Sequence, residues 1–208
     1  MAYVILLLLL CGLLLANICM GSVTIPLEGI FRFVKGEALS QVEANILFQI
    51  RLPRALSAAI LGGALGLSGY LLQTFFHNPI AGPFVLGISS GAKLTVALVM
   101  VFLLGQAVKV SSAALILSAF FGAFLSMGFV LLMAKAVDKM SMLIVSGVMI
   151  GYICSAITDF VVTFADDADI VNLHNWSKGS FSGMSWENVS VMAVVVFVST
   201  VCVLFLAK

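Results

Sequence analysis

Long runs without a charged residue alternate with short polar stretches along this chain of 208 residues. Residues 1–27 contain no Asp, Glu, Lys or Arg, and the same is true of residues 110–134. An α-helix of about 20 apolar residues is long enough to cross the roughly 30 Å of hydrocarbon in a bilayer. The runs therefore predict six membrane-spanning helices, at residues 2–20, 54–76, 85–104, 110–134, 140–164 and 188–207.

The stretches between these helices are polar and are predicted to lie in water. Residues 21–53 are rich in charged side chains and indicate an aqueous connection with a short amphipathic helix, whereas residues 165–187 are polar and rich in turn formers. Pro53 suits the first turn of a helix, where its missing N–H is not needed, so we expect the second span to begin there. The first run lacks a basic leader and a small-residue cleavage pattern, which favours a retained span over a cleaved signal peptide.

The composition indicates that most of the surface faces lipid. Hydrophobic residues make up 62% of the chain and charged residues 9%, whereas a soluble domain carries about 25% charged residues. The net charge of +1 gives no indication of a nucleic-acid partner. The four cysteines match no metal-binding spacing, and the sequence contains no nucleotide-binding loop or catalytic triad pattern. We therefore predict an all-α integral membrane protein that is not an enzyme and has no metal site.

Small residues recur at every fourth position on three of the predicted helices. Membrane helices gain little from apolar association inside lipid, so they pack closely through such small residues. The three stripes are Ala58, Gly62 and Gly66; Ser118, Gly122 and Ser126; and Gly147, Gly151 and Ser155. Their glycines predict helix faces that another backbone approaches within a compact bundle.

The stretch HNPIAGP, residues 77–83, interrupts the apolar pattern between the second and third predicted helices. Pro79 and Pro83 each remove a backbone donor. Irregular backbone at membrane depth is tolerated where it is buried in protein or lines a wet cavity, as in the broken helices of transporters. The alternative is an ordinary loop between two spans, and composition alone does not separate the two interpretations.

Several motifs, taken together, resemble one family of membrane proteins. RLPR at residues 51–54 is followed by GLSGYLLQ, then by HNPIAGP and LGISSGA. GSVTIP after the first span and WSKGSFSGMSW at residues 176–186 fit the same order and spacing. In these motifs the chain resembles the permease subunits of binding-protein-dependent ABC importers for iron–siderophores, haem and cobalamin.

The resemblance implies a subunit of about ten spans in the cytoplasmic membrane of a prokaryote. In that family a second permease subunit, identical or different, completes the path, cytoplasmic ATPase subunits bind ATP and Mg²⁺, and an extracytoplasmic protein delivers the chelate. This chain would then bind no cofactor itself, and its partners would be those proteins and membrane lipid. Residues 1–208 resemble the first three-fifths of such a subunit, so we expect a single, truncated permease domain without the C-terminal spans and the coupling segment.

By the same resemblance, Arg51 and Arg54 correspond to arginines that dock acidic side chains of the external binding protein. A guanidinium pairs well with carboxylates, and charges at the rim of an interface speed and orient an encounter. The alternative is that both arginines anchor the helix at the membrane surface by snorkelling. The resemblance also implies a cytoplasmic N-terminus, which places more basic residues outside than inside, contrary to the positive-inside rule.

Charged residues inside predicted spans usually face the bundle interior or water. The resemblance implies a wide path for a bulky chelate, lined by small, polar and apolar groups. The residues predicted to line this path or its gate are Ser68, Gln73, Asn78, Pro79, Gly87, Gly91, Lys93, Met149 and Asp159. For the two charged members, Lys93 and Asp159, the alternative is snorkelling to an interface.

The leading hypothesis is the permease subunit of an ABC importer for an iron–siderophore, haem or corrinoid chelate, driven by partner ATPase subunits. One alternative is a secondary transporter coupled to an ion gradient, which would need paired carboxylates within its spans. Asp159 alone is a weak basis for that alternative. The other is a membrane remnant that does not transport, an interpretation that the missing coupling segment favours.

Overall fold

The computed structural model describes residues 1–21, 23, 40–104, 112–137 and 139–206, and all regular structure in them is helical. The predicted all-α fold is confirmed. The elements are α1 (Ala2–Cys19), α2 (Gln41–Asn45), the π-helical segment π1 (Ile46–Arg51), α3 (Leu52–Phe76), α4 (Ile88–Leu104), α5 (Ser112–Met133), α6 (Met140–Val162), α7 (Asp167–Lys178) and α8 (Trp186–Leu206).

The predicted spans correspond, in order, to α1, α3, α4, α5, α6 and α8. Among the described residues, five helical segments are long and apolar enough to cross a membrane: Ala2–Cys19, Gln41–Phe76, Ala113–Met133, Met140–Val162 and Trp186–Leu206. The remaining apolar helix, α4, is shorter, with 17 residues. Hydrophobic runs thus located these six helices within a few residues of the bounds given above.

Pro53 does not begin a helix as expected, because one helix runs continuously from Gln41 to Phe76. Within π1 the N–H of Leu52 bonds to the carbonyl of Leu47, five residues back instead of four. A proline inside an α-helix clashes with the carbonyl four residues before it. The wider π turn immediately before Pro53 displaces that carbonyl, so the helix passes through the proline without ending.

Only part of the charged connection predicted for residues 21–53 is described, since residues 22 and 24–39 lie outside the described ranges. From Ser40 onward the chain is helical. The Ser40 hydroxyl accepts a hydrogen bond from the Glu43 N–H at 3.3 Å, and the Glu43 carboxylate accepts one from the Ser40 N–H at 3.2 Å. This reciprocal capping box fixes the start of α2.

The chain divides into two compact units, and the boundary between them falls within α3. The first unit comprises Met1–Leu65 and Ser180–Lys208, and the second comprises Gly66–Gly179. In the first unit, α1 has no buried residue, and Val189 is the buried residue of α8. Their exposed apolar side chains suit contact with lipid, where apolar surface has no water to avoid.

In the second unit, α4 is central and packs against α5, α6 and α7. Phe76, Ala81, Leu86, Val130 and Leu143 form a buried apolar cluster near its N-terminal end. Val130 lies near the end of α5 and Leu143 near the start of α6. The cluster therefore packs the connection between α3 and α4 against the α5–α6 turn.

Helix α7 lies in a stretch that the sequence pattern assigned to turns. Asp167 and Asp169 occupy its first turn and Lys178 its last, an arrangement that complements the helix dipole. Gly179 then ends the helix with a φ of 69°, a left-handed conformation that favours glycine. Leu173 is buried in a second apolar cluster with residues of α4, and this contact anchors α7 to the second unit.

Candidate functional site

The connection between α3 and α4 leads into a backbone contact between Gly87 and α6. Gly87 has a φ of 72°, and a Cβ built on it would lie 2.7 Å from the carbonyl oxygen of Gly147 and 2.8 Å from the nitrogen of Gly151. No side chain fits into that space. The Gly147–Gly151 stripe of α6 is thus the surface on which the start of α4 rests.

The irregular segment itself is closely held. His77 has a φ of 49°, the Asn78 N–H donates to the Gln73 carbonyl at 3.1 Å, and the Asn78 side-chain oxygen accepts from the Ile80 N–H at 2.9 Å. Pro79 is exposed, whereas Asn78 is half-buried. Since Gly147 is seven residues into α6, the contact with Gly87 lies about 10 Å along that helix at 1.5 Å per residue. The segment is therefore a packed connection that reaches into the unit.

A second close contact joins α4 to α5. The carbonyl of Gly91 lies against Gly122, and a Cβ on Gly91 would collide with the Ser126 hydroxyl. The Thr95 hydroxyl donates to the Ser118 carbonyl at 2.6 Å across the same interface. The stripe of small residues on α5, which contains Gly122 and Ser126, therefore packs against α4 at Gly91.

A cavity of about 270 Å³ opens between the start of α4 and the middle of α6. The Ser155 hydroxyl donates to the Ser90 hydroxyl at 3.4 Å beside it. Cavities that hold drug-sized ligands measure about 300–1,000 Å³, so this one could hold part of a bulky ligand only. The residues around it are Phe84, Val85, Gly87, Ser90, Val148, Gly151, Tyr152 and Ser155.

Helix α6 has two contrasting faces. Its buried residues recur at alternating steps of four and three, as Gly147, Gly151, Cys154, Thr158 and Val161 show. Met149, Tyr152 and Asp159 are exposed and do not belong to that packed stripe. The structure thus places two predicted path residues, Met149 and Asp159, on the surface of the second unit, and it adds Tyr152, Ser90 and Ser155 at the cavity, which the sequence analysis did not assign to the path.

The other predicted path residues are not gathered in one place. Lys93 and Ser68 are half-buried, and Gln73 is exposed. A Cβ on Gly62 or Gly66 would meet no atom within 4 Å in the described part of the chain. The stripe on α3 that contains these two glycines therefore has open space in front of it among the described residues.

The two predicted docking arginines have different surroundings. Arg51 is only 7% exposed, and its guanidinium donates to the carbonyls of Ile18 at 2.5 Å, Cys19 at 3.0 Å, and Val23. Arg54 is half-buried, and its Nε is buried without a hydrogen-bond partner among the described residues. Arg51 is thus engaged within the chain, whereas Arg54 keeps donor capacity.

The same region receives one more long-range hydrogen bond. The indole N–H of Trp186, the first residue of α8, donates to the Phe48 carbonyl of π1 at 2.7 Å. Sequence reading gave no role to Trp186, because its acceptor is a backbone group 138 residues away. In the described ranges, no group of three or more His, Cys, Asp and Glu side chains could hold a metal ion.

Comparison with solved structures finds a protein of similar fold. A chain of an ABC transporter assigned to the metal-chelate type, in an inward-facing conformation, superposes with a TM-score of 0.78 and 26% identity. The match covers 97% of this chain and 60% of that chain. The fold of this chain thus recurs in part of a transporter chain.

Comparison with curated sequences gives closer relatives. The vitamin B12 import system permease protein BtuC of Klebsiella pneumoniae subsp. pneumoniae is 40% identical over 185 residues, which are 89% of this chain and 53% of that protein. The protein of the same name from Salmonella paratyphi A is 38% identical over 152 residues, which are 73% of this chain and 46% of that protein. The chain thus spans about half the length of these relatives. A sequence model of the FecCD transport family matches residues 6–208, so the chain belongs to the FecCD transport family.

Proposed function

We propose that this chain forms part of the membrane permease of an ABC importer. The observation that carries the proposal is its similarity, along 89% of its length, to a permease of vitamin B12 import. The five long apolar helices agree with a subunit that works inside the membrane. ATP would be hydrolysed by a partner ATPase, and this chain would contribute helices to the path.

The substrate class proposed first is a corrinoid, because the similar permeases are named for vitamin B12 import. An iron–siderophore or haem is the second candidate, supported by the structural likeness to a transporter of the metal-chelate type. All three are bulky chelates whose metal is enclosed by its own ligand. A path for such cargo needs width and no metal-coordinating side chains.

The wall of the path is assigned to the exposed face of α6 and the cavity beside it. Met149, Tyr152 and Asp159 point away from the packed stripe of their helix. A charge in a membrane span is costly unless it faces water or the bundle interior, so Asp159 favours a wet surface here. Since the cavity is smaller than a bulky chelate requires, a second permease subunit would supply the opposite wall.

Docking of an external binding protein is assigned to the region of Arg54. The side chain of Arg54 is half-buried, and the planar fork of a guanidinium would suit a carboxylate on a partner. The sequence predicted docking by Arg51 as well, but that guanidinium donates to carbonyls of its own chain. This assignment places Arg54 at the outer side of the membrane, which would be the cytoplasmic membrane of a prokaryote.

The remnant and the ion-coupled transporter stay as weaker alternatives. Asp159 is the single acidic residue in the sequence of α6, whereas an ion-coupled site would need paired carboxylates. Nothing in the described residues favours ion coupling over the importer.

Co-purification from native membranes, followed by transport in vesicles, tests the proposal. We expect an ATPase subunit and a second permease subunit to co-purify with the chain. Vesicles that contain these proteins, supplied with the external binding protein, should accumulate labelled cobalamin in an ATP-dependent manner, with a ferric siderophore and haem as competing cargoes. Accumulation that follows an ion gradient without ATP, or purification without an ATPase, would contradict the proposal.

A further inference from the structure

We infer that Arg51 is a positioning residue, whose guanidinium clamps the end of α1 to π1 and thereby fixes the segment that carries Arg54. The clamp is a property of the chain itself. Its consequence for docking rests on the proposed function, because that function supplies the partner that Arg54 would meet.

The end of α1 receives hydrogen bonds from Arg51. The last carbonyls of an α-helix have no donor within the helix, and α1 has no basic residue in its last turn. The Ala16 carbonyl accepts from the Met20 N–H, whereas the Ile18 and Cys19 carbonyls accept from Arg51. Arg51 therefore supplies both the donors and the positive charge that favour a helix C-terminus.

The bonds that Arg51 already makes limit what else it can bind. Among the described residues, its buried guanidinium makes three hydrogen bonds to backbone carbonyls, those of Ile18, Cys19 and Val23. An incoming carboxylate would have to displace these carbonyls and release the end of α1. Among the described residues, no hydrogen bond joins Arg54, three residues later, to the end of α1, and its Nε has no partner. The geometry therefore gives the two arginines of RLPR different tasks.

Gly21 lies against the guanidinium of Arg51. A Cβ built on Gly21 would lie 2.7 Å from Nη2 of Arg51. An alanine at this position would push the guanidinium away from its carbonyl partners. Gly12, within α1, has no atom of the described residues within 4 Å of a built Cβ. The chain thus offers a way to disturb the clamp without changing Arg51, and a matched control.

Segment π1 is also bonded to α8. The backbone N–H of Leu52 bonds to Leu47, and the next residue, Pro53, has no N–H to offer the Phe48 carbonyl. Trp186 donates to that carbonyl from α8. Segment π1 is therefore tied to α1 by Arg51 and to α8 by Trp186, immediately before the helix continues to Arg54.

The experiment uses Cys19 as a native reporter at the end of α1. Cys11, Cys154 and Cys202 are replaced by alanine in the full chain, and the reaction of Cys19 with a membrane-impermeant maleimide is followed in membrane vesicles. We expect Arg51→Gln to raise the labelling rate severalfold, and Gly21→Ala to do the same. Arg51→Lys should fall between Arg51→Gln and the parent, because an ammonium keeps the charge but loses the planar fork of donors.

The controls are Gly12→Ala and Arg54→Gln, both of which should leave Cys19 labelling at the parent rate. A separate version retains Cys154 alone, a residue buried in α6, to report general unfolding. Unchanged Cys19 labelling in both Arg51→Gln and Gly21→Ala would overturn the clamp. A rise in Cys154 labelling equal to that of Cys19 in Arg51→Gln would overturn the clamp too, because Arg51 would then support the fold as a whole.

The docking consequence is measured separately, as binding of the external binding protein to the same vesicles. We expect weaker binding for Arg51→Gln, partial recovery for Arg51→Lys, and weaker binding for Arg54→Gln without any change at Cys19. If Arg51→Gln binds as tightly as the parent while Cys19 is exposed, the positioning role is wrong. If the parent binds no such protein, the proposed function fails, and the Cys19 result still decides the clamp.

Discussion

The carbonyl of Gly91 on α4 lies against the backbone of Gly122 on α5, so closely that neither residue has room for a side chain. On its other side, Gly87 makes the equivalent contact with the Gly147–Gly151 stripe of α6. Helix α4 is therefore held by backbone contacts on two sides. Such contacts allow the closest approach of helices within lipid and resist separation through dispersion and weak polar contacts.

Replacing Gly122 by alanine should destabilise the chain by about 1–3 kcal/mol, the usual cost of overpacking. The new methyl group would collide with the Gly91 carbonyl and the Thr95 hydroxyl, so α4 and α5 must move apart. The measurement is denaturant unfolding in mixed micelles, followed by circular dichroism. Gly128→Ala is the control, because that glycine on the same helix has open space. Equal stability of the two variants would show that the contact is not tight.

Gly87→Ala should cost more than Gly179→Ala. Both glycines have a positive φ, 72° and 69°, so both substitutions strain the backbone, by about 1–3 kcal/mol. Only at Gly87 would the Cβ also collide with the backbone of α6, since nothing lies within 4 Å at Gly179. Unfolding midpoints of the two variants measure the difference, and a Gly179→Ala variant that is equally unstable would contradict the collision.

Trp186→Phe should lower stability by about 0.5–1.5 kcal/mol, the net value of a typical hydrogen bond. The substitution keeps an aromatic ring but removes the N–H that the Phe48 carbonyl accepts at 2.7 Å. Trp176→Phe removes the other indole of the chain and serves as the comparison. Hydrogen exchange of the π1 amides gives the local measurement, and unchanged exchange in Trp186→Phe would contradict the bond.

A cysteine at position 149 should react with a water-soluble thiol reagent, whereas one at position 195 should not. Met149 and Val195 are similarly exposed in the chain, 56% and 57%, but the first lies on the proposed path wall and the second on an apolar face of α8. Native cysteines are replaced beforehand, and cargo should slow the reaction of Met149→Cys. Equal reactivity at the two positions would argue against the assigned wall.

Arg54→Glu should weaken association with the external binding protein, most strongly at low salt, where surface charges are least screened. Lys178→Glu makes the same change in net charge at an exposed residue of α7. Association is measured on vesicles over a range of ionic strength. Equal weakening by both variants would indicate a general field effect and no specific contact at Arg54.

Hydrophobic runs were sufficient to locate the spans, because crossing lipid imposes both length and apolar composition. The continuation of the helix through Pro53 could not be predicted in this way. A proline rule treats the residue in isolation, whereas the π turn from Ile46 to Arg51 lets the chain pass it. Helix α7 was missed although its signals were present, namely Asp167 and Asp169 at the start and Gly179 at the end.

Partners that are distant in the sequence were beyond prediction from pattern alone. Stripes of small residues indicate that some backbone approaches, but they do not say which one, and Gly87 reaches Gly147 across 60 positions of the chain. The carbonyls that engage Arg51 carry no sequence signature, because every residue has one. For the same reason a motif such as RLPR indicates charge and helix position, and leaves open whether an arginine faces inward or outward.

The extra residue in π1 also sets the rotational phase of the long helix. Each residue of an α-helix turns the chain by about 100° at 3.6 residues per turn. The wider turn therefore changes the direction in which the side chains of Gln41–Asn45 point relative to those of Leu52–Phe76. Loss of one codon between positions 46 and 51 would leave an apolar helix of almost the same length. The side chains of Gln41–Asn45 would nevertheless point in another direction around the helix axis. A homologue that carries such a deletion would have to hold α1 by contacts other than those of Arg51.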